Sequence, residues 1–375
     1  MSATQTQTIV LLGGGIDSIG IAGRCREMGL DLIIVDQDPE APARPLAAHF
    51  VKASCYHVDP VLSALRDLRI EIHGVLCAGV DAPHVMAAVA AVYGLVGPEP
   101  ETASTGRDKW LQYQALNDAG IRVPNTYELD WVGMPIVASH DTVIKPTMLR
   151  GARGVRLVRR GYQITEDDFH YPISTWGPSA GIIIGQDWID GQQISSESLV
   201  QNGEILWTAF ADRNYDRLEE FAPYVIEDGC DMPSAIIANH ENDWRQKAHE
   251  QLWKCKDALG LRNGVLKGDL VWDGQRIWVI EVATRLSGGR MCSDITPEVW
   301  GVDFVGMAVR IALGDHIWPG EINPYLRRHC SQRFQFPVKP QAHPDRGPHM
   351  IGYGTSREEA QAHAAEQLNR LKVPA

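Results

Sequence analysis

The chain has 375 residues, 44% of them hydrophobic, enough to bury a substantial core divided over two or three lobes with a cleft between them. Lysine and arginine number 35 against 47 aspartates and glutamates, and this formal charge of -12 argues against nucleic acid, whose phosphates ask for a basic surface. No apolar run approaches a membrane span, and the seven scattered cysteines read as reduced, mostly buried thiols rather than a disulfide frame or zinc site.

The opening residues from Met1 to Thr8 are polar and uncharged, without the basic start and apolar stretch of a secretion signal, so a cytoplasmic location is expected. Thr8 to Leu12 is a β-rich run broken by Gly13-Gly14-Gly15, followed by a helical pattern through Gly29 and a second apolar run from Leu32 to Val35 that ends at Asp36. A third strand is expected at Gly74 to Cys77, then an Ala-rich helix from about His84 to Tyr93. Residues 1–105 therefore read as a small parallel α/β domain. Residues 107–120 have helical spacing and a terminal glycine suited to a C-cap, which predicts one linker helix. Short strands around Val143 to Pro146, Val155 to Val158 and Gly181 to Ile184 predict a small antiparallel lobe, so that residues 106–190 join the linker to this lobe. Residues 191–375 are expected to form a larger lobe, with a helix from about Asn242 to Leu259, two strands joined at Asp273-Gly274, a basic stretch near Phe336 to Pro348 and a closing helix from about Ser356 to Leu371.

Two stretches carry charged residues where strands ought to be apolar. In the first, Asp269 and Glu281 lie on the two strands joined at Asp273-Gly274, with Lys267 just before and Arg285 just after. A buried carboxylate without a partner is costly, and magnesium with nucleotide phosphates asks for one or two carboxylates, so one ion accounts for both acids. Side chains alternate faces along a strand, and a two-residue Asp273-Gly274 turn pairs Trp272 with Gln275, leaving the two acids on opposite faces. The shared-metal reading therefore predicts one extra residue in that connection, such as a type I turn with a glycine bulge. The competing reading is a hairpin whose acids are merely solvated. In the second stretch, Lys145 on a strand is followed by a Gly- and Arg-containing loop. A lysine is a point charge for phosphate and the loop amides can close over phosphoryl groups, although a solvated basic hairpin has the same pattern.

In order and spacing these pieces resemble the ATP-grasp family, and the resemblance spans most of the chain. It implies a parallel α/β domain ahead of a two-lobed ATP-grasp fold, with Gly94 to Pro98 closing the first domain. It implies ATP and Mg2+ as cofactors, Lys109 and Lys145 on the ATP phosphates, and a hinge in which Gln186, the main chain at Ile189 and Gln193 hold adenine and ribose. Gln186 and Gln193 stand where glutamates are usual. The resemblance makes Asp269 and Glu281 the metal ligands, Lys267 a phosphate contact and Arg285 the arginine of a Glu-x-Asn-x-Arg run in which Ala283 replaces the asparagine. Ala222 to Pro233 is similar to a loop of amino-acid ligases in this family, which makes Glu227 a candidate to face the acceptor amine.

The reaction implied is a carboxylate-amine ligation through an acyl phosphate, on two small-molecule substrates and without nucleic acid or membrane. A homo-oligomer is compatible with it. Two other readings stand beside it. Ala283 and the hinge glutamines fit an ATP-binding or regulatory protein with weak turnover. The Gly13 to Gly15 loop with Asp36 about twenty residues later fits the start of an NAD-dependent oxidoreductase, although Ser18 occupies the place of the third fingerprint glycine.

Overall fold

The computed structural model describes residues 6–130, 136–238, 243–336 and 349–371. At the N-terminus four parallel strands, β1 (Thr8–Leu12), β2 (Asp31–Asp36), β3 (His49–Lys52) and β4 (Gly74–Cys77), form a sheet in the order β3-β2-β1-β4. β1 is central and every residue in it is buried, because helices cover both faces of the sheet. β3 has no counterpart in the sequence reading: it is a short edge strand with one fully buried side chain, Val51, so it carries no apolar run. Gly13 closes the turn after β1 at φ +96°, and a Cβ there would lie 2.9 Å from the Ala78 carbonyl oxygen.

The linker holds two helices, Pro100–Arg107 and Lys109–Asp118, separated by Asp108 in an extended conformation; the second is the helix expected at residues 107–120, and the first has no counterpart in the sequence reading. The Asp108 carboxylate accepts from the Trp110 and Leu111 amides, an N-cap that starts the second helix at Lys109 and interrupts the first. Helical periodicity alone runs straight through this break.

The small lobe contains β5 (Thr126–Glu128), β6 (Ile136–Val137), β7 (Thr142–Pro146), β8 (Arg156–Val158), β9 (Gln163–Ile164) and β10 (Ile183–Asp187). Four of these form an antiparallel sheet in the order β5-β10-β7-β8, and β6 pairs with β9. The large lobe is a seven-stranded antiparallel sheet built from β11 (Gln192–Gln201), β12 (Glu204–Asn214), β13 (Gly229–Met232), β14 (Gly264–Trp272), β15 (Ile277–Ala283), β16 (His329–Phe334) and β17 (His349–Gly354). Its order is β15-β14-β11-β12-β13-β16-β17. The helix Trp244–Ala258 covers one face through Ala248, Leu252 and Cys255 against Ile194, Phe210, Leu266 and Val279. The helix Phe304–Ala312 packs between the N-terminal sheet and the large sheet, so Ile9, Leu11, Phe304, Val309, Leu199 and Val265 belong to one core. A parallel bridge between Ala78 and Leu286 ties the same two lobes beside the cleft. The basic stretch near Phe336 to Pro348 lies almost wholly outside the described residues. The closing helix runs Arg357–Arg370.

Candidate ATP and magnesium site

The site is built where the second linker helix, β7 and β10 of the small lobe and β14 and β15 of the large lobe converge. Asp269 and Glu281 are direct cross-strand partners. The extra residue required for this lies elsewhere than expected. Trp272 pairs with Ile277, which leaves Asp273 to Arg276 as the connection and displaces the pairing by two residues, without changing which face the acids occupy. The odd residue is Ile280, bypassed by a register shift between Leu270–Val279 and Asp269–Glu281. The bulge is therefore in β15, and the turn is ordered separately by Asp273, whose carboxylate accepts from the Gln275 and Arg276 amides at 2.8 and 2.7 Å.

Like charges directly opposite on a sheet repel, and here a ring of cations offsets the repulsion. Asp269 is buried and pairs with Lys267 and with Arg213 Nη1 at 3.0 Å. Glu281 Oε2 lies 3.6 Å from Lys109 Nζ. Burial pushes the Glu281 carboxyl up, but Lys109, Lys145 and Lys267 outweigh burial and the neighbouring Asp269 and hold it below the usual carboxylate range. Glu281 is therefore ionised at neutral pH. Among the described residues no cluster of three or more His, Cys, Asp or Glu side chains could hold a metal ion. Two opposed carboxylate groups are nevertheless a fitting oxygen donor set for Mg2+ that takes its remaining ligands from phosphate and water. Ala283 is the cross-strand partner of Lys267, two residues beyond Glu281, so a methyl group occupies the place where the family asparagine would offer a third donor.

Lys145 reaches the site from β7 and is only 5% exposed. Its Nζ donates to Gln186 Oε1 at 2.8 Å, and Gln186 Nε2 donates to Thr126 Oγ1 at 2.9 Å. Burial pushes the Lys145 amine down to about 8, with Lys109 adding to the fall and Glu281 and Asp269 opposing it. Lys109 stands at the start of the capped helix, where its Nζ donates to the Leu149 carbonyl at 2.6 Å and its amide to Thr147 O at 3.1 Å. Lys109, Lys145, Gln186 and Ile280 line one small cavity with Gln112 and Tyr113. Ile189 and Gln193 lie on and just after the connection between β10 and β11. Gly191 in that connection passes so close to the end of β14 that a Cβ would lie 2.2 Å from Trp272 O.

The structure brings Lys109, Lys145, Lys267, Asp269 and Glu281 together, with Glu227 at the margin through Arg213. Arg213 Nη2 is 2.9 Å from Glu227 Oε2, and its other nitrogen holds Asp269. Burial works against the Arg213 charge, but Asp269 and Glu227 outweigh it and hold the guanidinium protonated. Arg213 was not singled out in the sequence, where the only signal is a charged pair, Asp212-Arg213, near the end of an otherwise apolar strand. Arg285 binds Asp81 Oδ1 of the N-terminal domain at 3.2 Å. Glu197 was also missed. It is fully buried beside Lys267 across the sheet, and its Oε1 accepts from the Ser287 amide at 2.7 Å, fixing the loop after Arg285. Asp36, which a dinucleotide site would turn to a ribose, instead accepts from the Gly14 amide at 2.7 Å and the Asp38 amide at 2.9 Å.

A family profile described as an ATP-grasp domain matches residues 106–289, the stretch that supplies Lys109, Lys145, Lys267, Asp269 and Glu281. Residues 106–289 are an ATP-grasp domain. ATP and Mg2+ are the cofactors of this family. Carnosine synthase 1 of Gallus gallus is 25% identical over 341 residues, covering 83% of this chain and 35% of that protein. An uncharacterized protein of Sinorhizobium fredii is 24% identical over 253 residues, covering 65% of this chain and 50% of the relative. The chain thus spans half or less of the length of these curated relatives. Among solved structures, an L-amino acid ligase from Bacillus licheniformis superposes with a TM-score of 0.78 at 17% identity, covering 98% of both chains. Phosphoribosylglycinamide synthetase from Anaerococcus prevotii superposes with a TM-score of 0.71 at 14% identity, covering 97% of this chain and 98% of the other. These likenesses establish the whole-chain fold as an α/β domain joined to an ATP-grasp unit. Among the described residues no helix is long and apolar enough to cross a membrane.

Proposed function

We propose that the protein is an ATP-dependent carboxylate-amine ligase. The observation that carries this reading is the direct opposition of Asp269 and Glu281 inside a ring formed by Lys109, Lys145, Lys267 and Arg213. Such a ring matches the charge of a nucleotide triphosphate, and the two acids would hold Mg2+, which when bound neutralises and orients the phosphates. A carboxylate oxygen of the substrate attacks the γ-phosphorus, and the bond to the β,γ-bridging oxygen breaks to release ADP. Lys109 and Lys145 offset the charge on the transferring group from the linker and small-lobe sides, and Lys267 from the large lobe. The amine then attacks the acyl carbon, phosphate leaves, and Glu227 takes the amine proton. Arg285 binds the carboxylate or acyl phosphate after exchanging Asp81 for it, a bidentate role suited to a guanidinium. Gln186, the main chain at Ile189 and Gln193 hold adenine and ribose. The amino-acid ligase among the structural neighbours and the carnosine synthase relative favour amino acids as one or both substrates.

A phosphate-release screen with ATP, Mg2+ and pairs of amino acids and small carboxylates tests this directly. Amine-dependent release of ADP and phosphate is the expected result. The missing donor at Ala283 favours one specific alternative, a nucleotide-binding protein with little turnover. Tight ATP binding with no ADP formation across the whole panel would establish that alternative.

A further inference from the structure

Beside the nucleotide site, on the face of the cleft formed by the N-terminal domain, two guanidinium groups are poorly accounted for. Arg107 ends the helix Pro100–Arg107 and is half-buried, yet no carboxylate among the described residues lies within ion-pair distance of it. Its Nε is buried without a hydrogen-bond partner. Among the described residues the one side chain at hydrogen-bond distance from it is His84, whose Nε2 lies 3.5 Å away, while Asp81 and Asp108 act on it from further off. That nitrogen also lies 3.2 Å from Tyr56 O, and a carbonyl oxygen requires the nitrogen facing it to carry the proton. Two N–H groups then face each other, so His84 offers Arg107 no acceptor, and His84 Nδ1 is itself buried without a partner. Burial and the Arg107 charge push His84 down to about 4, which leaves the ring neutral.

Arg150 is in the same position from the other side. It is half-buried and stacks over the Tyr56 ring at 5.2 Å, and it too has no carboxylate within ion-pair distance among the described residues. Arg285 and Arg153 are its cationic neighbours, and Asp17, which accepts from the Gly289 amide, is the acid nearest in influence. Asp81 is the acid with the largest influence on Arg107 and is already bound by Arg285. Buried polar groups are normally paired, and two desolvated cations around one tyrosine are costly unless an anion joins them.

Position connects these groups to the reaction. Arg107 lies two residues before Lys109, and Arg150 directly follows Leu149, whose carbonyl accepts from Lys109 Nζ. Both arginines are therefore neighbours in the chain of the lysine that faces Glu281 or of its carbonyl partner, and their guanidiniums reach His84 and Tyr56 of the N-terminal domain. We propose that Arg107 and Arg150, around Tyr56, form a clamp for a second negatively charged group on the carboxylate substrate, which is therefore a dicarboxylic or phosphorylated acid. The inference rests on the ligase reading for the identity of the reacting carboxylate, and on the two guanidiniums for the second charge.

The test is calorimetric binding in the presence of Mg2+ and a non-hydrolysable ATP analogue, using matched pairs: glutamate against glutamine, aspartate against asparagine, phosphoserine against serine. In at least one pair the doubly anionic member should bind about tenfold tighter or better. Arg107→Gln should erase that margin while affinity for the nucleotide analogue is kept, and Arg150→Gln, which alters the loop after Lys145, should erase it whatever happens to nucleotide affinity. Whichever pair responds tells carboxylate from phosphate. Arg107→Lys, which keeps the charge and loses the planar fork, should reduce the margin without erasing it, and melting curves establish that each variant is folded. Equal binding within every pair, no binding by any member, or a margin that survives both glutamine variants overturns the clamp. ADP release followed with ATP in place of the analogue separates the two claims. Selective binding without ADP leaves the clamp standing and removes the ligase, whereas turnover that favours the neutral members does the reverse.

Discussion

Lys145 and Lys267 face the same site from opposite lobes in opposite electrostatic settings. Lys267 is paired with Asp269 on its own strand, so its charge is already matched when the site is empty of nucleotide. Lys145 has a neutral amide, Gln186, as its hydrogen-bond partner, and burial brings it close to losing its proton. A glutamate at position 186 would make the small-lobe lysine as satisfied as the large-lobe one. The contrast teaches that the small lobe holds an under-compensated cation and the large lobe a matched set; on the proposed function the first awaits phosphate and the second exchanges partners when metal and nucleotide arrive.

Four experiments break or sharpen this contrast. The largest effect is expected from Glu281→Gln, which keeps shape but removes one of the two opposed charges: turnover should fall about a thousandfold with the fold retained, measured as ADP release against melting temperature. Turnover within tenfold of the parent would detach Glu281 from the chemistry. Lys145→Met should lower kcat/KM for ATP about a hundredfold, more than Lys267→Met does, because only Lys145 lacks a carboxylate partner of its own. The third measurement concerns protons. With the Lys145 amine at about 8, roughly half of it is neutral at pH 8, and an arriving phosphate favours the charged form. ATP binding at pH 8 should then take up a fraction of a proton, seen as a binding enthalpy that changes with the buffer's ionisation enthalpy, and the uptake should fade towards pH 6.5 as Lys145 becomes fully charged. Gln186→Glu should abolish it by fixing the charge beforehand. The smallest effect belongs to Ala283→Asn, which adds a donor beside Glu281 and should lower the Mg2+ concentration for half-maximal activity by about threefold. An unchanged requirement would show that Lys267 fills that place.

Much of this molecule was readable in its residues. Thr8–Leu12 and Gly74–Cys77 are β-branched or apolar runs that end at glycine or open on it, and both appear as strands with the expected bounds. Lys145, Asp269 and Glu281 stood out because charged groups on apolar strands need partners. The misses have equally physical causes. His49–Lys52 is an edge strand without a continuous apolar run, and the helix break at Asp108 is a side-chain cap that periodicity does not register. Arg213 and Glu197 matter through residues 56 and 90 positions away, Asp269 and Ser287, and a linear reading has no means of pairing them.

By itself the sequence determined which residue types are present, that two acids and two lysines interrupt apolar strands, and that the two acids need an odd residue between them to share a face. Tertiary structure alone decided where that residue goes. The Asp273 side chain closes its own turn without a bulge, so the parity change falls at Ile280 inside β15, where packing against β14 and the linker helix absorbs it. Only the packed lobes bring Arg107 to His84 and Arg150 to the neighbouring Tyr56, because that meeting depends on how the N-terminal domain, the linker and the small lobe close on one another.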